Sequence, residues 1–275
     1  QQGHAPAASD STAVVAARIA HRVVASTTLL LVAVMAMTCL APRPRWWREG
    51  SRALALVALA LFLALLGRWS SASRVPAVTM GNLLAGFAML ALAFNLARHA
   101  GRAAGAGRGA PSAPSHAIGV HSPAGGRLRA WALLGVVLVA IQIALGGMVS
   151  SGYAGLSCPS LLTCDAGGIA WRALDPWREP MLGAMHGNPD GALLQQVHRL
   201  GALLLIALLL PLGVMALRRG PRAAGGVLLV LMGIQVALGG ALLLGALPLT
   251  VALAHNLVAG LLLATIFDLA SPPLR

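Results

Sequence analysis

The chain alternates between long apolar runs and short polar connections, after a polar tail over residues 1–12. An apolar run of roughly 20 residues is long enough to form a helix that crosses a bilayer. Seven runs approach or exceed that length, and they lie at residues 14–41, 53–70, 76–97, 130–150, 192–217, 223–246 and 248–268. The pattern predicts an all-α, polytopic membrane protein.

Composition agrees with the apolar runs. Hydrophobic residues make up 58% of the chain and charged residues 10%, which is typical of a protein whose environment is a lipid bilayer. The net charge of +13 would suit nucleic acid, but the basic residues lie mostly in connections between apolar runs. We therefore expect no nucleic-acid partner.

The distribution of arginine predicts the orientation, because basic residues concentrate in cytoplasmic loops. Arginines cluster after the first, third and fifth runs, namely Arg43, Arg45, Arg48 and Arg52; Arg98, Arg102, Arg108, Arg127 and Arg129; Arg218, Arg219 and Arg222. The connection over residues 151–191 instead carries Asp165, Asp175, Glu179 and Asp190. We expect that loop to face outward and the C-terminus to be cytoplasmic.

The chain divides into two related halves. Residues 1–99 hold three predicted helices, residues 100–129 form a Gly-, Ala-, Pro- and Ser-rich cytoplasmic linker, and residues 130–275 hold four predicted helices. His21-Arg22 opens the first run as His198-Arg199 opens the fifth, which indicates a duplication. The repeat predicts an eighth helix, which would precede residue 1.

A second repeat lies within the C-terminal half. The motif Ile-Gln-Ile-Ala-Leu-Gly-Gly at residues 141–147 recurs as Ile-Gln-Val-Ala-Leu-Gly-Gly at residues 234–240. It predicts a polar residue and a close-approach glycine pair on two facing helices. We interpret Gln142 and Gln235 as residues that form hydrogen bonds between helices.

His198 and His255 are the leading candidate site residues. A histidine inside a spanning helix is costly to desolvate and so requires a ligand or partner, and both residues lie a few positions into helices that start at the same face. Two neutral imidazoles at matched depth favour axial ligation of a haem iron. Arg199 is a candidate partner for a haem propionate. The alternatives are structural histidines and an interfacial anchor at Arg199.

The remaining histidines and the cysteines suggest simpler roles. Cys158 and Cys164 lie in the outward loop, where a disulfide is favoured over a metal site, and Cys39 reads as a packing residue. Trp171 and Trp177 suggest an interfacial segment. Five other histidines lack the spacing of metal ligands. Four of them fall in segments expected to be mobile, namely His4, His99, His116 and His121, and the fifth is His186.

The C-terminal half resembles the heme A synthase family. The residues that carry this resemblance are Ala144–Pro159, Cys164, His198-Arg199 and His255-Asn256. The resemblance implies an eight-helix enzyme of the bacterial-type inner (cell) membrane, with haem b held by His198 and His255 and a methyl of haem O oxidised to the formyl of haem A. It also implies His21 as a ligand of the substrate haem, and haem O synthase or terminal oxidase assembly factors as partners.

The N-terminal half departs from the family pattern. Where the family has a glutamate three residues before the His-Arg pair, this chain has Arg18, and where it has a second histidine, this chain has Gly81 beside Asn82. Two hypotheses stay open: a heme A synthase-like oxidoreductase, and a catalytically degenerate protein that binds haem b or transfers electrons. A transporter is motivated only by the duplicated halves.

Overall fold

The computed structural model describes residues 12–41, 47–70, 73–106, 123–158, 160, 164, 170–180 and 188–271. All regular elements of these residues are helical. Seven long helices occur in this part of the chain: α1 (Thr12–Leu40), α2 (Trp47–Ser70), α3 (Pro76–Ala106), α4 (Pro123–Ser151), α5 (Ala192–Arg219), α6 (Arg222–Leu244) and α7 (Leu249–Ala270). Two short 3-10 helices, Trp171–Leu174 and Pro189–Gly191, lie between α4 and α5.

The seven predicted spans are confirmed as helices. Each of the seven is long and apolar enough to cross a membrane, which makes this a multi-pass membrane protein. Helices α2, α3 and α4 extend beyond the apolar runs. The added residues of α3, 98–106, are rich in Ala and Arg, which are good helix formers. Residues 100–106 and 123–129 of the predicted linker are therefore helical, while residues 107–122 lie outside the described part.

The chain forms two compact units, Gln1–Phe62 and Leu63–Arg275. In the first unit, the start of α2 lies against the end of α1 at a glycine. A Cβ atom at Gly50 would come within 2.6 Å of Leu40 Cδ2 and 3.7 Å of Cys39 Cβ. Cys39 is buried and outside any disulfide, in agreement with the packing role expected for it.

The second unit is built on a four-helix arrangement. Helix α4 packs against α5 and α7, and α6 packs against the same two helices, so α5 and α7 occupy opposite corners. Helix α3 packs against α4 and α7. The division into sequence halves remains a prediction, because α3 belongs to the same compact unit as α4–α7.

Helix α7 supplies much of the core of the second unit. Its C-terminal part buries Leu262, Leu263, Ala264 and Ile266 among apolar residues of α3, α4, α5 and α6. Burial of a leucine or isoleucine side chain contributes about 1.5–3 kcal/mol in water, whereas between spanning helices close packing is the main source of stability. The core thus fixes α7 against its neighbours and sets the position of His255 on the same helix.

A polar cluster joins α3 to the C-terminal end of α7. Asp268, with 7% of its side chain exposed, accepts a hydrogen bond from Asn95 Nδ2 at 3.0 Å and forms an ion pair with Arg98 Nε at 3.1 Å. Arg129 on α4 donates to the Ala270 carbonyl at 3.0 Å. The expectation of a mobile segment around His99 is wrong, since that residue is buried on α3 beside this cluster.

We expect Asp268→Ala to lower the free energy of unfolding by about 1–3 kcal/mol, because it leaves the buried Asn95 donor without its acceptor. Asp268→Asn keeps an acceptor oxygen and loses only the ion pair with the partly exposed Arg98, so its effect should be smaller. Thermal unfolding in detergent compares the stabilities of the two variants. Equal stability of Asp268→Ala and the parent protein would contradict the role of this cluster.

Candidate functional site

Two histidines lie at the same depth on opposite corners of the bundle. His198 is the seventh residue of α5 and His255 is the seventh residue of α7. Both side chains are half-buried. The structure therefore places the two histidines that the sequence singled out at the same position in their helices.

His198 is held by a residue of α4. Gln142 Nε2 lies 3.1 Å from His198 Nδ1 and donates a hydrogen bond to the His198 carbonyl oxygen at 2.7 Å. One helical turn after Gln142, a Cβ atom at Gly146 would come within 3.2 Å of His198 Cε1. A larger residue at that position would push the imidazole away, so the missing side chain lets the ring lie against α4.

His255 is held in a similar way by α6. Gln235 Nε2 lies 3.1 Å from His255 Nε2, and a Cβ atom at Gly239 would come within 3.5 Å of His255 Cε1. Two buried atoms of this pair, His255 Nδ1 and Gln235 Oε1, have no hydrogen-bond partner among the residues that the structure describes. Buried polar atoms without partners are rare and mark a place where a ligand can bind.

The repeated glutamine-glycine motif thus has a structural purpose at both corners. In each copy, the first glycine adjoins an imidazole and the second does not. Gly147 faces Met80 and Leu83 on α3, and a Cβ atom at Gly240 would meet nothing within 4 Å. Contact with an imidazole is therefore a property of Gly146 and Gly239, the first glycine of each pair.

The loop between α4 and α5 is fastened to the first turns of α5. A disulfide joins Cys158 to Cys164, with 4.7 Å between their Cα atoms, as predicted. Gln195 accepts from the Cys158 amide at 2.7 Å and donates to the Gly155 carbonyl at 2.6 Å. Gln196 donates to the Cys164 carbonyl at 3.1 Å. These bonds hold the loop beside the turn that carries His198.

Arg199, the candidate propionate partner, contacts the same loop. Its Nη1 donates to the Ser160 carbonyl at 2.7 Å. An arginine carries five donors, so this bond is compatible with a further carboxylate contact. Its role toward a propionate stays a prediction.

His21 lies on α1, in the first compact unit, where its side chain and those of Arg18 and Arg22 are exposed. Its role as a ligand of a substrate haem stays a prediction. His4, His116, His121 and His186 lie outside the described residues.

The donor set fits a haem iron. Within the described residues, no group of three or more His, Cys, Asp or Glu side chains is placed to hold a metal ion. Two imidazoles from opposite helices, with apolar surroundings and an unpartnered ring nitrogen on His255, suit a flat group that needs two axial nitrogen ligands. His198 and His255 are the residues that would hold it.

The fold and site define a multi-pass helical membrane protein with a paired-imidazole site in a four-helix bundle. The sequence matches the family described as cytochrome oxidase assembly protein over residues 10–267. The chain belongs to that family.

Several curated relatives are named heme A synthase. The protein from Shewanella oneidensis is 30% identical over 259 residues, which cover 90% of this chain and 72% of the relative. The protein from Methylobacterium radiotolerans is 41% identical over 150 residues, 51% of this chain and 39% of that protein. The protein from Methylobacterium nodulans is 39% identical over 145 residues, 50% of this chain. Both Methylobacterium matches span 39% of the relative's length.

Sequence reasoning missed the residues that surround the histidines. It assigned Gln142 and Gln235 to contacts between helices without predicting their contact with the imidazoles, and it gave Gln195 no role. The signal for the two glutamines was present, because each precedes the glycine of the repeated motif by one helical turn. Gln195 had no such signal.

Glycine substitutions test how closely α4 and α5 approach. A Cβ atom at Gly201 would overlap Gln142 Oε1, so Gly201→Ala should displace that side chain and lower the free energy of unfolding by about 1–3 kcal/mol. Gly240→Ala is the matched control, since its Cβ would lie in open space. We expect the control to be neutral or slightly stabilising. Thermal unfolding measures both, and equal stability of the two variants would contradict the close approach.

Proposed function

We propose that this protein is a heme A synthase-type membrane oxidoreductase. In this proposal, His198 and His255 hold a haem b as axial ligands, and a methyl group of haem O is oxidised to the formyl group of haem A. Cytochrome oxidase assembly is the process to which the family description assigns its members. The haem O synthase and terminal oxidase assembly factors are the corresponding candidate partners.

One observation carries the proposal. Two imidazoles lie at matched depth on opposite helices of the bundle, and each is held by the glutamine and glycine of a repeated motif. Burial of two imidazoles in an apolar environment is costly, and a role as ligands accounts for that cost. The name of the Shewanella oneidensis relative, which aligns with 90% of this chain, supports the same chemistry.

In this proposal, the residues of the site have different roles. Conversion of a methyl to a formyl group removes electrons and adds one oxygen atom, so it requires an electron acceptor and an oxygen source from outside the chain. A bound haem b would supply one-electron chemistry at its iron. His198 and His255 would fix the plane of that haem, and the apolar core beneath them excludes water. Arg199 would neutralise a propionate at the rim of the bundle. His21 would bind the substrate haem.

The proposed orientation places this site near the outer face. The arginine-rich connections, including those that carry Arg98, Arg129 and Arg218, would then be cytoplasmic, as would the C-terminus. The disulfide between Cys158 and Cys164 supports this orientation, because disulfides persist outside the cytoplasm.

Removal of either axial ligand should abolish haem binding. We expect His198→Ala and His255→Ala, purified in detergent, to lose the low-spin b-type spectrum that the parent protein shows in the oxidised and dithionite-reduced states. His21→Ala is the control, and it should keep that spectrum while lowering the yield of haem A. Extraction and chromatography of the haem identify its type. A parent protein without haem, or a His255→Ala variant that retains all of it, would refute the proposed site.

A second candidate function, a b-haem electron-transfer protein without catalysis, is favoured by one specific contact. A Cβ atom at Gly81, the position where the resemblance expects a second histidine, would come within 3.0 Å of Leu66 Cδ2. That crowding opposes a larger side chain at this position. The positive charge of Arg18 also replaces the negative charge that the resemblance expects there, which would change the electrostatics of a reacting centre.

Expression in cells that make haem O and lack haem A separates the two functions. Recovery of haem A with the parent chain, and its loss with His21→Ala, supports the oxidoreductase. Stoichiometric haem b without any haem A supports the electron-transfer protein.

A further inference from the structure

We propose that Gln142 and Gln235 are positioning residues that fix the proton and the orientation of His198 and His255, and thereby tune the reduction potential of the haem iron. This inference rests on the proposed function, since it requires that the two histidines ligate haem. It goes beyond the contact between helices that the sequence suggested for these glutamines.

The geometry leaves one nitrogen of each imidazole facing a glutamine and the other facing away. The facing atoms are His198 Nδ1 and His255 Nε2, each 3.1 Å from a glutamine Nε2 atom. A ligating neutral imidazole gives the lone pair of one nitrogen to the metal and carries its proton on the other. That second N–H nearly always donates to a protein acceptor, which orients the ring and raises its basicity. At both corners a glutamine amide lies at this position, with its Nε2 toward the ring.

The two ends of the glutamine amide group differ in hydrogen bonding. Its NH2 only donates and its oxygen only accepts, so with Nε2 toward the ring the facing nitrogen holds a lone pair and the proton lies on the far nitrogen. Ligation by the far nitrogen requires the opposite arrangement, with the proton on the facing nitrogen and the amide oxygen as its acceptor. At Gln235, rotation of the amide about its last torsion exchanges the two. Gln235 Oε1 is buried and has no partner among the described residues, so that oxygen gives up no bond in turning toward His255.

The close approach of α4 and α5 holds the amide of Gln142 in its place. Gly201, one turn after His198, leaves the space that Gln142 Oε1 occupies, since a Cβ atom there would overlap the oxygen. Gly146 in turn lets the imidazole lie directly against α4, because a Cβ atom at this position would come within 3.2 Å of His198 Cε1. The amide and the ring therefore stay in contact, which a role in ligand positioning requires.

The competing explanation is a purely structural bond between helices. Gln142 Nε2 donates to the His198 carbonyl at 2.7 Å, and that bond alone would join α4 to α5. The two roles need different chemistry from the same side chain. Positioning of a ligand needs an acceptor at the ring, whereas the bond to the carbonyl needs a donor. A glutamate, which accepts and does not donate when ionised, retains the first and loses the second.

The test compares Gln142→Glu and Gln142→Met in the full chain, purified in detergent with its haem, by redox titration of the visible spectrum. Methionine has similar length and offers the imidazole no strong acceptor. We expect Gln142→Met to raise the midpoint potential, because a less basic ligand stabilises ferric iron less, and to weaken haem retention about 10–100-fold. We expect Gln142→Glu to retain haem and to lower the potential below that of the parent protein.

Gln235→Glu and Gln235→Met repeat the test at the other corner, in case the Gln142 variants fail to fold. Gln196→Met is the matched control, because Gln196 lies on α5 and donates to the Cys164 carbonyl in the loop. It should leave the midpoint potential unchanged.

Potentials that move in opposite directions for glutamate and methionine support the inference. Equal effects of the two substitutions, or unchanged potentials with haem retained, overturn it and leave the glutamines as bonds between helices. A parent protein that binds no haem refutes the proposed function itself, so the two failures are distinguishable.

Discussion

The structure depends on the cost of placing two polar rings among apolar helices. In hydrocarbon there is no water to satisfy an imidazole nitrogen, so a neighbouring helix must supply the partner. Gln142 and Gln235 supply it from α4 and α6. A partner can reach the ring only if the backbones approach closely, and Gly146, Gly201 and Gly239 permit that approach. The glycines, the glutamines and the helix spacing thus follow from one requirement.

Because of the internal repeat, the contacts around His198 and His255 are similar but not identical. Helices α4 and α6 carry the same motif near the end where α5 and α7 begin, so the same contacts arise twice. The contacts differ in the ring nitrogen that faces the glutamine, Nδ1 in His198 and Nε2 in His255, and Gln142 alone of the two also reaches a histidine carbonyl. A duplicated sequence therefore places two ligands whose electronic surroundings differ.

The sequence predicted the helices, the position of His198 and His255 near the starts of α5 and α7, and the disulfide, because each depends on apolar length or local spacing. It did not predict which side of each helix faces a neighbour. Helices α5, α6 and α7 are apolar all round, so they lack the polar stripe that reveals a buried face. For that reason the sequence could not separate Gly146 from Gly147, nor find the burial of His99. The extensions of α3 and α4 were not predicted because residues 98–106 and 123–129 contain no apolar run.

The loop closed by the disulfide is attached to α5 in a particular way. Gln195, Gln196 and Arg199 all bond to main-chain atoms of the loop, at residues 155, 158, 160 and 164. Main-chain atoms are the same whatever side chains the loop carries, so these bonds position the loop at those residues and place little demand on which side chains it has there. Side chains of the loop can therefore change without loss of these bonds. Such changes would alter the surface that the loop presents outside the bundle, while the contacts of the turn that carries His198 are retained.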